Sequence, residues 1–260
     1  MKKGNLSAQE WHERFEHQAR WTISIRNYLF KLFDFSNNSW MLEVGCGTCA
    51  VLSQLPVRGP QLFGIDINIE FLSFSNQKHN NLHLTHGDGH LLPYPTDQFD
   101  LVYCHYLLLW VRDPITILQE FVRVGKPGST IFIVAEPDYG GRIDFPPTLE
   151  AMGRAQIKSL QSQGADPMLG RKIAAFCKQA GIHVIESGIL GSQSSPTVDR
   201  SIIDSEQKML KHDLAGSLTD KKLNELLTID LEAWMDSTRV LYVPTFYLYG
   251  KNPHTPNFER

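Results

Sequence analysis

The segment Leu42-Glu43-Val44-Gly45-Cys46-Gly47-Thr48 constrains this chain more than any other. It closes a short apolar run, Ser39 to Val44, that reads as a buried strand. Two glycines one residue apart let the backbone turn sharply, and with no side chain at either site the main chain itself can approach a bound group. Further strands are predicted at Gln61 to Ile67, Leu82 to His86, Phe99 to Tyr106 and the β-branched run Thr130 to Ala135. Helical spacing is predicted over 48–55, Phe71 to His79 and Ile115 to Val124, the last closed by Gly125-Lys126-Pro127-Gly128. Strands alternating with helices at this pitch imply βαβ units and an α/β fold, its parallel sheet covered on both faces.

The flanks read differently. Residues 7–33 place Trp11, Phe15, Trp21, Ile25, Leu29 and Leu32 at helical spacing, which predicts one or two amphipathic helices. After Glu136 the chain mixes Pro, Gly and Asp with an amphipathic stretch from Leu149 to Gln163. A helix is predicted over Arg171 to Ala180, a strand over Ile182 to Leu190, and two helical stretches over 200–236, broken near Gly216. Arg239 to Tyr249 alternates like a strand. Insertions after the fifth and sixth strands would stand over the carboxyl edge of the sheet, where open α/β sheets bind ligands.

Net charge is −3, from 25 basic and 28 acidic residues, with no long basic run, which argues against a dedicated nucleic-acid binder. The start, Met1-Lys2-Lys3-Gly4-Asn5, leads into a polar stretch, so no signal peptide is expected, and the longest apolar run, Leu101 to Val111, is too short for a bilayer. A cytoplasmic protein is expected, with oligomeric state left open. Cys46 and Cys49 have Cys-x-x-Cys spacing but no second ligand pair, and His79, His83, His86 and His90 run across a strand and its turns, so no metal is called for.

Taken alone, Gly45-x-Gly47-x-x-Ala50 fits a dinucleotide fingerprint, and Asp66, at the end of the second strand, suits the hydroxyls of a ribose. These two features leave NAD and S-adenosylmethionine equally open. Three more separate them: Glu43 beside the turn, where nicotinamide folds carry an apolar residue; Gly87-Asp88-Gly89 after the third strand, suited to an adenine amine; and Phe99-Asp100-Leu101-Val102 opening the fourth, with His105 and Tyr106 at its end.

On these residues, with Gly64-Ile65-Asp66 and Gly125-Lys126-Pro127-Gly128, the sequence resembles the class I S-adenosylmethionine-dependent methyltransferases, in the subgroup that includes the ubiquinone and menaquinone methyltransferases. The resemblance covers roughly 38–136. It implies a Rossmann-like, mostly parallel seven-stranded sheet with an antiparallel last strand, here Arg239 to Tyr249, helices on both faces and helical insertions over the carboxyl edge. It further implies one domain over 1–260, with an N-terminal helical cap at 1–36, a cofactor core at 38–136 and acceptor-pocket insertions at 137–169 and 200–236. S-adenosyl-L-methionine would be the cofactor and a small molecule the acceptor. Gly45 and Gly47 would line its methionine part, with Glu43 beside them. Asp66 would hold the ribose with Ile67 next to it, Asp88 and Gly89 would flank the adenine, and the backbone at Cys104 and His105 would pass the sulfonium.

A sulfonium methyl is already electrophilic, so the protein mainly aligns a nucleophile and excludes water. His105 is the candidate general base for a hydroxyl acceptor. Tyr139, in the loop Glu136-Pro137-Asp138-Tyr139-Gly140-Gly141-Arg142, is the candidate substrate-facing aromatic, with Arg142 or Asp138 fixing charge. Arg20 on the N-terminal helix could pair the methionine carboxylate. No Asn/Asp-Pro-Pro-Tyr/Phe motif is present, which disfavours nucleic-acid and glutamine amino groups as acceptors. Two alternatives stay open. One is a tRNA or protein methyltransferase using Lys158, Arg171, Lys172 and Lys178 as a basic surface; the other is a non-catalytic S-adenosylmethionine-binding regulator.

Overall fold

The computed structural model describes residues 6–55, 60–191 and 200–253; the polar start Met1-Lys2-Lys3-Gly4-Asn5 lies outside them. Nine strands and eight helices occur among the described residues. The strands are β1 (Trp40–Val44), β2 (Gln61–Asp66), β3 (Leu82–His86), β4 (Phe99–Cys104), β5 (Gly125–Pro137), β6 (Ile143–Phe145), β7 (His183–Leu190), β8 (Val240–Tyr242) and β9 (Thr245–Lys251). The helices are α1 (Ala8–Trp21), α2 (Ile23–Lys31), α3 (Ile69–Lys78), α4 (Pro114–Val124), α5 (Glu150–Ser162), α6 (Ile173–Gln179), α7 (Arg200–Leu214) and α8 (Asp220–Met235).

Seven strands form one sheet in the order β3-β2-β1-β4-β5-β9-β7. The pairs from β3 to β5 are parallel, and β9 runs antiparallel to both β5 and β7. The Rossmann-like sheet expected from sequence is therefore present, with its reversed strand slotted between two others. Leu42, Val102, Ile131 and Ile133 point to one face and pack with α4 and α6 residues such as Phe121 and Ile173. Met41, Leu101, Tyr103 and Phe132 point to the other and pack against α2, where Phe30 meets the rings of Tyr103 and Phe132 edge-on at 5.3 and 5.8 Å. The alternation of facing is the two-residue period of a strand buried on both sides.

Several helix starts are written in the sequence. Ser7 and Glu10 form a reciprocal capping box on α1, and Asn68 caps α3 by accepting from the Glu70 and Phe71 amides. Asp113 caps α4, whose first residue is Pro114.

Four expectations change. The helix predicted over 48–55 reduces to one 3-10 turn, Leu52–Gln54, because Gly45, Gly47 and Cys49 all hold positive φ and the chain cannot enter an α-helix until past them. The fourth strand ends at Cys104 rather than Tyr106, since Tyr106 turns the chain at φ 53°. Gly125 to Gly128 are the start of β5 and not a turn closing α4: Gly125 pairs with Phe99, and an irregular register absorbs the extra residues before Leu101 meets Thr130. Arg239 to Tyr249 is two strands, not one. Pro244 has no amide hydrogen to continue a ladder, so β8 leaves the main sheet and pairs with the short β6.

The β6–β8 pair and helices α5, α7 and α8 build a smaller layer with its own core of Leu149, Met152, Leu214, Leu223 and Leu226. Its polar interior is held by buried charge: Asp144 receives Arg142 at 2.6 Å and Arg239 at 2.7 Å, and Arg239 reaches Asp230 on α8 at 2.7 Å.

Candidate functional site

The glycine turn, Asp66, Asp88 and His105 all lie at the carboxyl edge, because each sits immediately after or at the end of a parallel strand. The turn is pinned from below. The Gly45 and Cys46 amides both donate to the Ile65 carbonyl, at 2.8 and 3.1 Å, and the Gly47 amide donates to Asp66 Oδ2 at 2.7 Å. Asp66 Oδ1 accepts from the Asn68 amide at 2.8 Å. Each carboxylate oxygen keeps a lone pair for an incoming hydroxyl. Ile67, just beyond, is 69% exposed and offers an apolar flank beside that carboxylate. Asp88 is exposed and is oriented by the amide and ring of His90. Gly89 lies against Val44, with an added Cβ only 3.1 Å from Val44 Cγ1.

The helices α1 and α2 close over this edge. His12 on α1 bonds Thr48 Oγ1 at 2.9 Å, and Phe15 packs over Gly47. The Thr22 hydroxyl, at the break between the helices, donates to the Ala19 carbonyl at 3.1 Å and lies 2.8 Å from His105 Nε2. When the Thr22 hydrogen goes to Ala19, Thr22 accepts from His105, an arrangement in which Nε2 carries the proton and Nδ1 the lone pair. Burial, with Arg26 nearby, pushes the His105 pKa down to about 3. The ring is neutral at pH 7 and only weakly basic. Cys104 turns its thiol into the core, leaving its backbone at the edge.

Glu43 lies at the end of β1, under the turn. It is fully buried, accepts from the Tyr103 hydroxyl at 3.1 Å, and burial raises its pKa well above the carboxylate range. Arg20 is exposed and makes no ion pair among the described residues. The buried arginine is Arg26 on α2, which sequence reasoning passed over. Its Nη2 donates to the Ala19 carbonyl at 2.8 Å and to Gln54 at 3.3 Å, while its Nε is buried with no hydrogen-bond partner. The spacing Thr22, Arg26, Phe30 puts it on the inward stripe of α2, a signal that was available.

The 137–142 loop is partly spent on structure. Asp138 is buried and binds Arg171, and Arg142 is taken up by Asp144 and Gln156. Tyr139 stays near the seam with α1 and α7, where burial raises its pKa against the pull of Arg14 and Arg142. An open cavity of about 310 Å³ lies against Tyr139, Arg142, Ile143 and Gly153, and a second of about 130 Å³ follows the seam beside Arg14, Met209 and His212. At the turn itself, Leu107 and Phe15 pack directly onto the two bare glycines.

The residues fit an adenosyl sulfonium with an amino-acid tail. A side-chain-free cradle, an unpartnered buried guanidinium nitrogen within the helices above it, an acid at the end of β2 and an exposed apolar residue beside that acid match its four chemically distinct parts.

A family model described as a methyltransferase domain matches residues 42–133. The chain is 27% identical over 173 residues to a demethylmenaquinone methyltransferase of Bacillus licheniformis, covering 64% of this chain and 68% of that protein. Among solved structures it resembles a Haemonchus contortus phosphoethanolamine N-methyltransferase 2 in complex with S-adenosyl-L-methionine, with a TM-score of 0.57, 14% identity and coverage of 90% of this chain and 52% of that one. The cyclase SpnF shares the fold as well, with a TM-score of 0.58 at 18% identity, covering 90% of this chain and 80% of that one.

Proposed function

Because this chain is a class I methyltransferase that uses S-adenosyl-L-methionine, we propose that it methylates a small-molecule acceptor held between the carboxyl edge of the sheet and the layer of α5, α7 and α8. The observation that carries the reading is the roof over the edge. Tyr106, just past β4 beside His105, lies close enough to Tyr139 to influence its ionisation, and Arg14 of α1 acts on Tyr139 from the side of the smaller layer. A site of this kind suits a compact molecule better than an open polymer. A Bacillus demethylmenaquinone methyltransferase as a relative supports an aromatic, quinol-like acceptor. A basic RNA-binding surface gains less support, since Arg171 is bound to Asp138 and Lys172 to Asp166.

When bound, the cofactor supplies a methyl group on positive sulfur. The protein's own part is then to hold, align and dry. Gly45 and Gly47 admit the amino-acid tail, Asp66 accepts from the ribose, and Asp88 and Gly89 border the base. His105, neutral and tied to Thr22, fixes the α1–α2 break against β4. Its low basicity suits accepting a hydrogen bond at Nδ1 more than removing a proton.

Titration calorimetry should detect binding of S-adenosylmethionine and none of NAD, and release of S-adenosylhomocysteine should follow addition of a quinol or other small aromatic acceptor. Binding of NAD alone, or turnover only with RNA or protein, would contradict the proposal. Arg26, rather than Arg20, is assigned to the methionine carboxylate. Arg26→Gln should weaken S-adenosylhomocysteine binding by roughly 1.5–3 kcal/mol, about ten- to a hundredfold, while Arg20→Gln changes it less than about threefold. Equal losses in the two variants would remove the assignment.

A further inference from the structure

One carboxylate in the smaller layer has no counterpart. Glu206 lies on α7, and its Oε1 is shielded from solvent with no hydrogen-bond partner among the described residues. The charges around it already balance. Arg14 on α1 makes a two-pronged bond with Asp213 of α7, at 2.7 and 2.6 Å. Arg142 and Arg239 are taken by Asp144 and Asp230. Three arginines thus meet three aspartates, and Glu206 is the acid left over. A buried carboxyl with an open acceptor atom is costly unless something arrives to bond it.

Two phenols lie near it. Glu206 is close enough to Tyr106, at the end of β4 next to His105, and to Tyr139 to raise the pKa of both phenols. Burial raises its own pKa to about 7, with Asp230 and Asp213 adding to the rise and Arg14 opposing it.

We propose that Glu206 recognises the methyl acceptor, its Oε1 receiving the hydrogen of a hydroxyl or amine on that molecule, in the seam bounded by Tyr106, Tyr139 and Arg14. The proposal rests on the small-acceptor methyltransferase reading and deepens it, because it restricts acceptors to those carrying an O–H or N–H donor. Nothing in the aspartate–arginine pairs needs Glu206, so its retention is a cost to stability offset in function.

The test uses the full chain saturated with S-adenosylhomocysteine and four probes. 1,4-Naphthohydroquinone and phenethylamine carry a donor; 1,4-dimethoxynaphthalene and trimethylated phenethylammonium do not. In protein labelled with carbon-13 at glutamate carboxyls, a resonance absent from Glu206→Gln identifies this group. A donor-bearing probe should move that resonance, the hydroquinone or the amine showing which donor is read. Glu206→Gln should weaken that probe about tenfold or more, leaving the donor-free probes and S-adenosylhomocysteine affinity unchanged. In the wild type, binding of that probe should tighten as pH rises through about 7, and in Glu206→Gln the dependence should flatten. Glu206→Met should melt no lower than the wild type. Overturning results are a resonance that no donor moves, equal binding of donor and donor-free probes, unchanged binding in Glu206→Gln, or a lower melting temperature in Glu206→Met. Failure of the wild type to bind S-adenosylhomocysteine would instead refute the methyltransferase reading beneath it.

Discussion

Replacing Gly45 with valine should abolish cofactor binding, lowering affinity for S-adenosylhomocysteine by more than about a hundredfold. Two physical effects act together. Gly45 sits at φ +74°, a conformation that costs an L-residue on the order of 1–3 kcal/mol and a β-branched one the most. An added Cβ would also stand 2.6 Å from Leu107 Cδ1, with Cγ and Cβ of the same side chain at 3.2 and 3.3 Å. Rotating the leucine tip does not clear that contact, because the stem collides as well. Leu107 in turn is held by its amide, which donates to Glu136 at 2.9 Å, so backbone retreat is blocked. Gly128 provides the control. It has φ +76° but nothing within 4 Å of an added Cβ. Gly128→Ala should therefore show the conformational cost alone, with cofactor affinity unchanged. If Gly45→Val binds S-adenosylhomocysteine within threefold of the wild type by calorimetry, the turn is not the cradle.

The elements that could be read from sequence are those whose environment is local or uniform. β1, β2 and β4 are largely apolar because both sheet faces are covered, and the edge strand β3 alternates Leu with polar residues, so their ends were placed within about two residues. Asp66 and Asp88 were visible because position after a strand is enough to put a residue on the carboxyl edge. Features set by distant partners were not visible. Gly125-Lys126-Pro127-Gly128 has turn composition, yet pairing with β4 and the Asn252 side chain, which donates to the Gly125 and Lys126 carbonyls, makes it strand. Glu43 and Arg26 exchanged expected prominence for a similar reason. The inward stripe of α2 was legible, but not that Arg26 would meet Gln54 below the α1–α2 break, nor that Tyr103, directly opposite Glu43 on β4, would occupy that carboxylate. Pro244 was a legible warning against one continuous strand, outweighed by the aromatic alternation around it.

Glu136 shows how the edge is kept in shape. It is completely buried at the end of β5 and receives the amides of Leu107, Leu108 and Leu109, at 2.9, 2.8 and 3.3 Å. Burial pushes its pKa up to about 8 and these three donors pull it back. It fixes the chain just after His105 and so sets the floor of the site from within the core.

The smaller layer depends on Asp144 in a comparable way, and Asp144→Ala should destabilise the protein by about 3–5 kcal/mol in denaturant unfolding. Asp144 Oδ2 binds Arg142 Nε at 2.6 Å, and Oδ1 binds Arg142 Nη2 at 3.0 Å and Arg239 Nη2 at 2.7 Å. All of these side chains are nearly inaccessible, so removing the anion leaves two largely desolvated guanidinium groups without their shared counter-charge. Arg239 retains Asp230, but Arg142 is left with only the neutral Gln156. Asp144→Asn keeps the shape and one acceptor oxygen, and should fall between the wild type and alanine. The damage should be regional. Hydrogen exchange should quicken in β6, β8 and α8, which these charges tie together, while β1 to β4 stay protected. Cofactor affinity should accordingly change less than about threefold, because the glycine turn and Asp66 are anchored by backbone bonds that do not pass through Asp144. A stability loss below about 1 kcal/mol would show that the arginines find water or other partners, and that the roof of the site does not rest on this cluster.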